Sequence, residues 1–315
     1  MKALLALLLF VSSLTAAAPP KVQRANIRVP VWMKSQQSGS SITSFDVTIG
    51  GEPARVVRTR GPSDDLVLLL VWDITGEITR LDEARKAIAT AIGALPDNSW
   101  VAMLRAQDGL QVAVDPTPDR AAIVNAVEAL PPGGKAGLMN TVENAARLAD
   151  TLVSRVSPRV AVLYVSDSNI YNYREDFANP VINASDSRDL SRAFPEGLVR
   201  ERISQLESRL EGLMAPIFIY HVDYRNDRLN EAYQTGLMKL ATATGGSAEF
   251  AKSIAEVQGG IRRMVDLVAT HWSLDVEVED LKGEYLQVLV TPKDGPASIT
   301  YRQRYLVKAL RKSSP

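Results

Sequence analysis

Residues Leu66 to Trp72 form an uninterrupted apolar run that ends in Asp73. A run with no alternation predicts a strand covered on both faces, as in the middle of an α/β sheet. Val160 to Val165 and Pro216 to Val222 repeat the pattern. Between these runs the period becomes helical, with Ala84, Ile88, Ala91 and Ile92 on one face of a helix over 81–95. Further helices are predicted over 118–130, 140–153, 198–213, 229–243 and 254–269. Trp100 to Arg105 and Leu110 to Val114 are apolar runs separated by a turn at Asp108 and Gly109, which predicts an antiparallel pair. Thr117 before Pro118 is the expected cap of the next helix. The alternating series predicts a mainly parallel sheet between helices over residues 64–270.

Both flanks change to period 2. Phe45, Val47 and Ile49 alternate with Asp46 and Thr48, and Gly50-Gly51 turns the chain into 54–59, a hairpin signature. Gly61-Pro62-Ser63 closes this segment as a linker. After residue 271, Trp272, Leu274, Val276 and Val278 alternate with polar residues, and two more strands follow over 285–291 and 298–307. Neither flank contains a helix between its strands, so the two are expected to meet in one antiparallel β unit beside the α/β domain. The organisation expected is a signal peptide over 1–18, an N-terminal β segment over 19–63, the α/β domain over 64–270 and a C-terminal β segment over 271–315.

The leader expectation rests on Lys2, the apolar Ala3 to Leu14 and the small residues Ala16 to Ala18. The leader's apolar stretch is too short to span a bilayer comfortably, and no later segment is long and apolar enough. An exported protein of the periplasm or extracellular space is therefore expected. The absence of cysteine excludes disulfides and thiolate chemistry, and two histidines, His221 and His271, exclude a histidine-rich metal site. A formal net charge of zero without long charge blocks gives no sign of a nucleic-acid partner. Chemistry gathers instead at strand ends. Asp73 and Asp167 both follow apolar strands, at the carboxyl edge where open α/β sheets place ligands. With the hydroxyls of Thr75, Ser166 and Ser168 they form a set of hard oxygen donors suited to a magnesium-sized cation.

The order Asp73-x-Thr75-x-Glu77, the glycine-rich loop Gly133 to Gly137, Ser166-Asp167-Ser168 and Ala243-Thr244-Gly245-Gly246 resembles a von Willebrand factor type A domain. The segments Phe45-Asp46-Val47 to Gly51-Glu52-Pro53 and Tyr301 to Tyr305 resemble, more narrowly, the exported bacterial von Willebrand factor A-related family. The resemblance implies a metal-ion-dependent adhesion site, in which Mg2+ is completed by a partner protein's carboxylate. Asp73, Thr75 and Asp167 match its ligands. Glu77 stands where a serine is expected and Lys135 where a threonine is expected, so the site is degenerate. Three readings stay open: Asp73, Thr75, Glu77 and Asp167 hold the ion, the Lys135 ammonium takes its place, or this edge is rearranged altogether.

No nucleophile is paired with a base, so no catalytic residue is assigned and a protein-binding or adhesion module is expected. The alternatives are a structural or assembly component of the cell envelope and, with less support, a hydrolase. His221 is expected to be a structural residue, and His271 to favour a helix C-terminus by its charge. Trp32, Trp72, Trp100 and Trp272 are expected in the core or at the domain junction. The stretch Ser168 to Pro195, with Tyr171 and Tyr173, is expected as an exposed loop that meets the partner.

Overall fold

The computed structural model describes residues 24–33, 44–76, 78–131, 133–155, 157–173, 196–279, 281–294 and 298–313. The leader at 1–18 lies outside them, and no described helix is long and apolar enough to cross a membrane.

The apolar run forms strand β4 (Leu66–Asp73), buried along its whole length. Its neighbours are β5 (Ser99–Arg105) and β7 (Arg159–Ser166), both parallel to it. With β6 (Gln111–Thr117), β8 (Ile217–His221) and β9 (Ala248–Phe250) they make a six-stranded sheet of order β6-β5-β4-β7-β8-β9. Only β6 runs antiparallel. Successive β4 side chains enter opposite cores, which explains why the run has no polar position. Val67, Leu69 and Val71 pack beneath α3 (Leu138–Arg155), α4 (Glu196–Leu210) and α5 (Arg228–Thr244). Leu66, Leu68, Leu70 and Trp72 pack beneath α1 (Ile78–Gly93), α2 (Arg120–Ala129) and α6 (Ile254–Thr270).

The antiparallel unit draws on both flanks, as the period change predicts. It contains β1 (Arg24–Met33), β2 (Phe45–Ile49), β3 (Glu52–Arg60), β10 (Trp272–Glu279), β11 (Tyr285–Pro292), β12 (Ile299–Tyr301) and β13 (Arg304–Leu306). Their order is β12-β1-β10-β3-β2-β11-β13. Since β12 and β13 are consecutive, the short stretch 299–306 pairs with both ends of the sheet and curls it around its own core of Val29, Val31, Val47, Val276, Val288 and Val290. The β2–β3 hairpin turns on Gly50 and Gly51, whose φ of 61° and 92° suit glycine. Helix α7 (Val307–Ser313) places Val307 and Leu310 against the same core.

The unit sits at the amino edge of the parallel sheet. Trp32 leaves the β core to pack with Phe218 and donates its indole N–H to Gly245 O at 3.0 Å. Arg302, at the β12–β13 corner, is buried, donates to the carbonyls of Leu213 and Glu211, and lies 4.1 Å over the Tyr305 ring. The two covalent crossings between units are the linker 61–65 and the α6–β10 junction. Buried Arg159 holds both: Nη1 donates to Ala269 O (2.7 Å) and His271 O (2.8 Å), Nη2 to Pro62 O (3.1 Å) and Asp64 O (2.8 Å). Burial lowers its pKa to about 10, which leaves it charged at neutral pH.

Three local expectations are corrected. The cap of α2 is Asp119, which accepts from Ala121 N and Ala122 N, because Thr117 is still paired with Val101 in the sheet. Trp100 is 44% exposed, on the outer part of the sheet, where the other three tryptophans pack inward or at the seam. His271 is buried, and desolvation, then Arg159, lowers its pKa to about 3, so it meets the α6 C-terminus as a neutral donor from Nδ1 to Val268 O at 2.6 Å.

Replacing Arg159 by Met should leave four carbonyls, one of them fully buried, without their donor and destabilise the protein by roughly 2–4 kcal/mol. Arg159→Lys should recover less than half of that, since one ammonium cannot span both crossings. Urea-denaturation midpoints of the three proteins check this.

Candidate functional site

Asp73 ends β4 beside Ser166, its register partner on β7. Its carboxylate is fully buried and is held by three donors. Gly137 N reaches Oδ1 at 2.7 Å, Leu138 N reaches Oδ2 at 3.0 Å and Ser166 Oγ reaches Oδ2 at 2.8 Å. Gly137 and Leu138 open α3, whose first N–H groups have no partner within the helix. Asp73 thus caps α3 from another strand, and the helix N-terminus supplies the positive potential it faces. Met139 N, the next in line, donates to Tyr173 OH at 3.3 Å. The loop fits tightly enough that a Cβ on Gly137 would come within 1.9 Å of Ala106 O.

Asp167 follows β7 and faces the loop after β4. Oδ1 accepts from Thr75 N (2.8 Å) and Thr75 Oγ1 (3.3 Å), and Oδ2 accepts from Gly76 N (2.5 Å). Gly76 must lack a side chain, because a Cβ there would lie 2.6 Å from Asp167 Oδ2. Beneath the aspartates the hydroxyls of Ser166, Ser168 and Tyr233 are linked at 2.8 Å each. His221 is buried below, with Nε2 against Ser168 O and Nδ1 accepting from Asp223 N at 3.2 Å. Burial holds its pKa below the usual value, so the neutral ring with its proton on Nε2 satisfies both contacts.

The structure therefore brings together Asp73, Thr75 and Asp167. Glu77 lies outside the described residues. Lys135 is exposed, and its backbone is tied to Asp108 through Lys135 N to Oδ1 at 3.0 Å and Asp108 N to Lys135 O at 3.2 Å. Of the Ser168–Pro195 stretch, 174–195 also lie outside the described residues. Tyr173 corrects the expectation of an exposed loop: it is buried, 6.1 Å from the Tyr233 ring, whereas Tyr171 is 48% exposed. Sequence reasoning placed Gly137 in the glycine-rich loop of the motif without its contact to Asp73, and missed Leu138 and Tyr233. Gly137 was legible as the last glycine before an apolar helix, but nothing local marks Tyr233.

Every oxygen of the two aspartates already accepts an internal donor, Asp73 from Gly137 N, Leu138 N and Ser166 Oγ and Asp167 from the N–H groups of Thr75 and Gly76, so a divalent ion would have to use their remaining lone pairs beside those donors. Among the described residues no three His, Cys, Asp or Glu side chains are grouped to hold a metal.

Above Asp167 the loops after β4, β7 and β8 enclose a polar cleft of ≈ 430 Å³, lined by Thr75, Arg80, Asn169, Asn172, Asp223 and Arg225 among others. Asp223 is paired with Arg80 and with Arg225, whose Nε and Nη2 lie 2.9 and 2.8 Å from Oδ2.

No family model and no curated protein matches the sequence. Solved structures do resemble it. A von Willebrand factor type A protein from Catenulispora acidiphila aligns over 92% of this chain and 74% of its own, at 14% identity and a TM-score of 0.45. The vWF domain of the type V pili tip protein Mfa5 from Porphyromonas gingivalis aligns over 64% of this chain and 94% of its own, at 12% identity and a TM-score of 0.45. Proximal thread matrix protein 1 from the mussel byssus, with a zinc-occupied MIDAS motif, aligns over 69% of this chain and 48% of its own, at 12% identity and a TM-score of 0.44. The chain itself has a mainly parallel six-stranded α/β sheet between helices, with an added antiparallel sheet.

Burial pushes the Asp73 pKa from 3.8 up to about 7, outweighing its hydrogen bonds. A folded pKa above the unfolded one means that the folded state holds the proton more tightly. The stability this adds is complete below about pH 3.8 and is lost as pH rises through about 7. Asp73→Asn should be less stable than the wild type, because its amide NH2 meets an N–H donor of α3. The gap should narrow by roughly 2 kcal/mol between pH 5 and 8, read from denaturation at each pH. Gly137→Ala should destabilise at every pH by about 2 kcal/mol or more, since it must move the loop off Ala106.

Proposed function

We propose that this chain is an exported protein-binding module of the cell envelope, with a degenerate metal-ion-dependent adhesion site that works without a metal. The observation that carries this reading is the internal use of both matching aspartates: Asp73 caps α3, and Asp167 closes the loop at Thr75 and Gly76. The oxygens of each carboxyl group are engaged in holding loops in place. The loops so held surround an open polar cleft at the edge opposite the β unit, which leaves that edge accessible to a partner. Export rests on the leader pattern at 1–18. A histidine-dependent hydrolase is disfavoured because His221 and His271 are both buried and hydrogen-bonded to the backbone.

Calorimetric titration with Mg2+ and Mn2+ at neutral pH tests the metal-free reading. No binding is expected in the wild type. Lys135→Thr restores the hydroxyl expected at that position but leaves the α3 N–H groups on Asp73, so it should not create a site either. Micromolar binding by the wild type would overturn the reading. Binding by Lys135→Thr alone would show that the ammonium, and not the helix N-terminus, stands in for the ion.

A further inference from the structure

The two edges of the six-stranded sheet differ. Strand β6, at one edge, is broken by two irregularities against β5 and carries Asp115 and Pro116, features that discourage a further strand. Strand β9, at the other edge, has no proline and keeps a regular register. Its pairing with β8 fixes which backbone groups face outward. Ser247 O accepts from Ile219 N at 2.9 Å and Ala251 N donates to His221 O at 2.8 Å, so in the alternation of a parallel ladder Glu249 is the residue whose N–H and C=O face β8. The N–H and C=O groups of Ala248 and Phe250 then face away from the sheet, with no partner strand among the described residues.

This edge opens on a groove of ≈ 470 Å³ between β9 and α5. Ala248 and Phe250 turn their side chains to the α5 side, where exposed Met238 and Tyr224, the latter edge-on to Phe250 at 6.3 Å, extend the apolar lining. Lys252 Nζ lies 5.9 Å over the Tyr224 ring, and Glu231 and Thr235 stand on the α5 rim. Glu249 points to the opposite face and pairs with Arg263 of α6 at 3.1 Å. A row of outward backbone donors and acceptors beside an apolar groove is completed by one kind of ligand, another extended backbone.

We propose that the β9 edge takes an extended segment of a partner protein as a seventh strand, antiparallel to β9, with side chains in the order small apolar, neutral polar, large apolar. This surface lies apart from the carboxyl-edge cleft, and the proposal does not depend on the metal-free reading above. Antiparallel pairing is the more stable kind, and it lets the segment exchange two hydrogen bonds with Ala248 and two with Phe250. Residues directly opposite share a face, so the large apolar side chain belongs opposite Ala248, beside Met238, and the small one opposite Phe250. The middle residue faces Glu249, where a carboxylate would be repelled. The same charge argues against a second copy of this chain as the occupant. The self-pairing that satisfies all four outward groups sets Ala248 against Phe250 of the other copy, and therefore Glu249 against Glu249.

The test is an NMR titration of the whole chain with N-acetyl-Ser-Val-Thr-Leu-Ser-amide. The peptide should shift the backbone amide signals of Ala248 and Phe250 saturably and slow their hydrogen exchange. The same peptide N-methylated at Val and Leu keeps its side chains but loses two donors, and should bind at least about tenfold more weakly. Asp in place of the central Thr should weaken binding several-fold. In the protein, Ala248→Pro removes an outward N–H that β8 does not use and should weaken binding about tenfold. If Ala248→Pro fails to fold, Met238→Lys places a charge on the exposed groove wall and should weaken binding several-fold, while Lys239→Gln, outside the groove, should not change it. Absence of saturable shifts, equal binding of the N-methylated peptide, or unchanged affinity in the folded groove variants would overturn the proposal. Dimerisation of the peptide-free protein with slowed exchange at Ala248 and Phe250 would assign the edge to a second copy and overturn it as well. Each of these outcomes leaves the metal-free reading of Asp73 and Asp167 standing.

Discussion

The guanidinium of Arg159 is the contact on which the relation between the two units depends. It is a buried cation that donates to carbonyls, with the charges of Asp64 and Asp65 also acting on it, and such a group is tolerated only where other dipoles replace its hydration. Four carbonyls do so, two from each covalent crossing between the units. Two of these belong to the last turn of α6 and the residue after it, where the helix dipole favours positive charge. The planar fork lets one side chain address both crossings at once, which no other cationic residue can do. Nearby, Asp275 is shared by Arg28 (2.9 Å) and Arg60 (2.7 Å), and Arg28 also reaches Pro158 O at 3.3 Å. The amino ends of β4 and β7 are thus committed to the seam.

That commitment gives the α/β unit a polarity. The seam occupies one end of the strands, and among the described residues the opposite end carries the loops after β4, β7 and β8. Asp73 and Asp167 provide the holding. One spans from β4 to the start of α3 and the other from β7 back to the loop after β4. Full burial makes Asp73 expensive to ionise, and the buried hydroxyl chain below it gives the surrounding polar groups defined partners. Two charged residues that a motif reading assigns to a bound ion are thereby part of the frame.

The layered fold was legible because burial on both faces of β4, β7 and β8 leaves no polar residue in those runs, and the flanks show the opposite pattern of one buried face. The positions of Asp73, Thr75 and Asp167 followed from the same reading, since each ends a strand or opens the next loop. Their use did not. Whether a carboxylate binds an ion or a helix N-terminus depends on where Gly137 and Leu138 come to rest, more than sixty residues away. Tyr173 illustrates the same limit: in sequence it is an aromatic residue in a polar loop, and only the approach of α3 and α5 buries it. The curl of the β sheet was equally hidden, because 298–307 shows one strand pattern although its two halves pair with opposite edges.

The sheet order has a kinetic consequence. Strand β1 lies between β10 and β12, and β3 lies between β10 and β2, so although β2 and β3 pair locally, β1 and β3 wait for partners more than 200 residues later in the chain. Closing so long a loop in an unfolded chain is slow, and contacts of such sequence separation are the ones that retard folding. The α/β unit, whose strands and helices alternate locally, can form first. Once it has, Gly61 and Trp272 are brought against each other, so closely that a Cβ on Gly61 would lie 2.6 Å from the indole ring. What was a closure over two hundred flexible residues becomes a closure over a few, and the inserted domain acts as the template on which the two halves of the barrel-like sheet find their register.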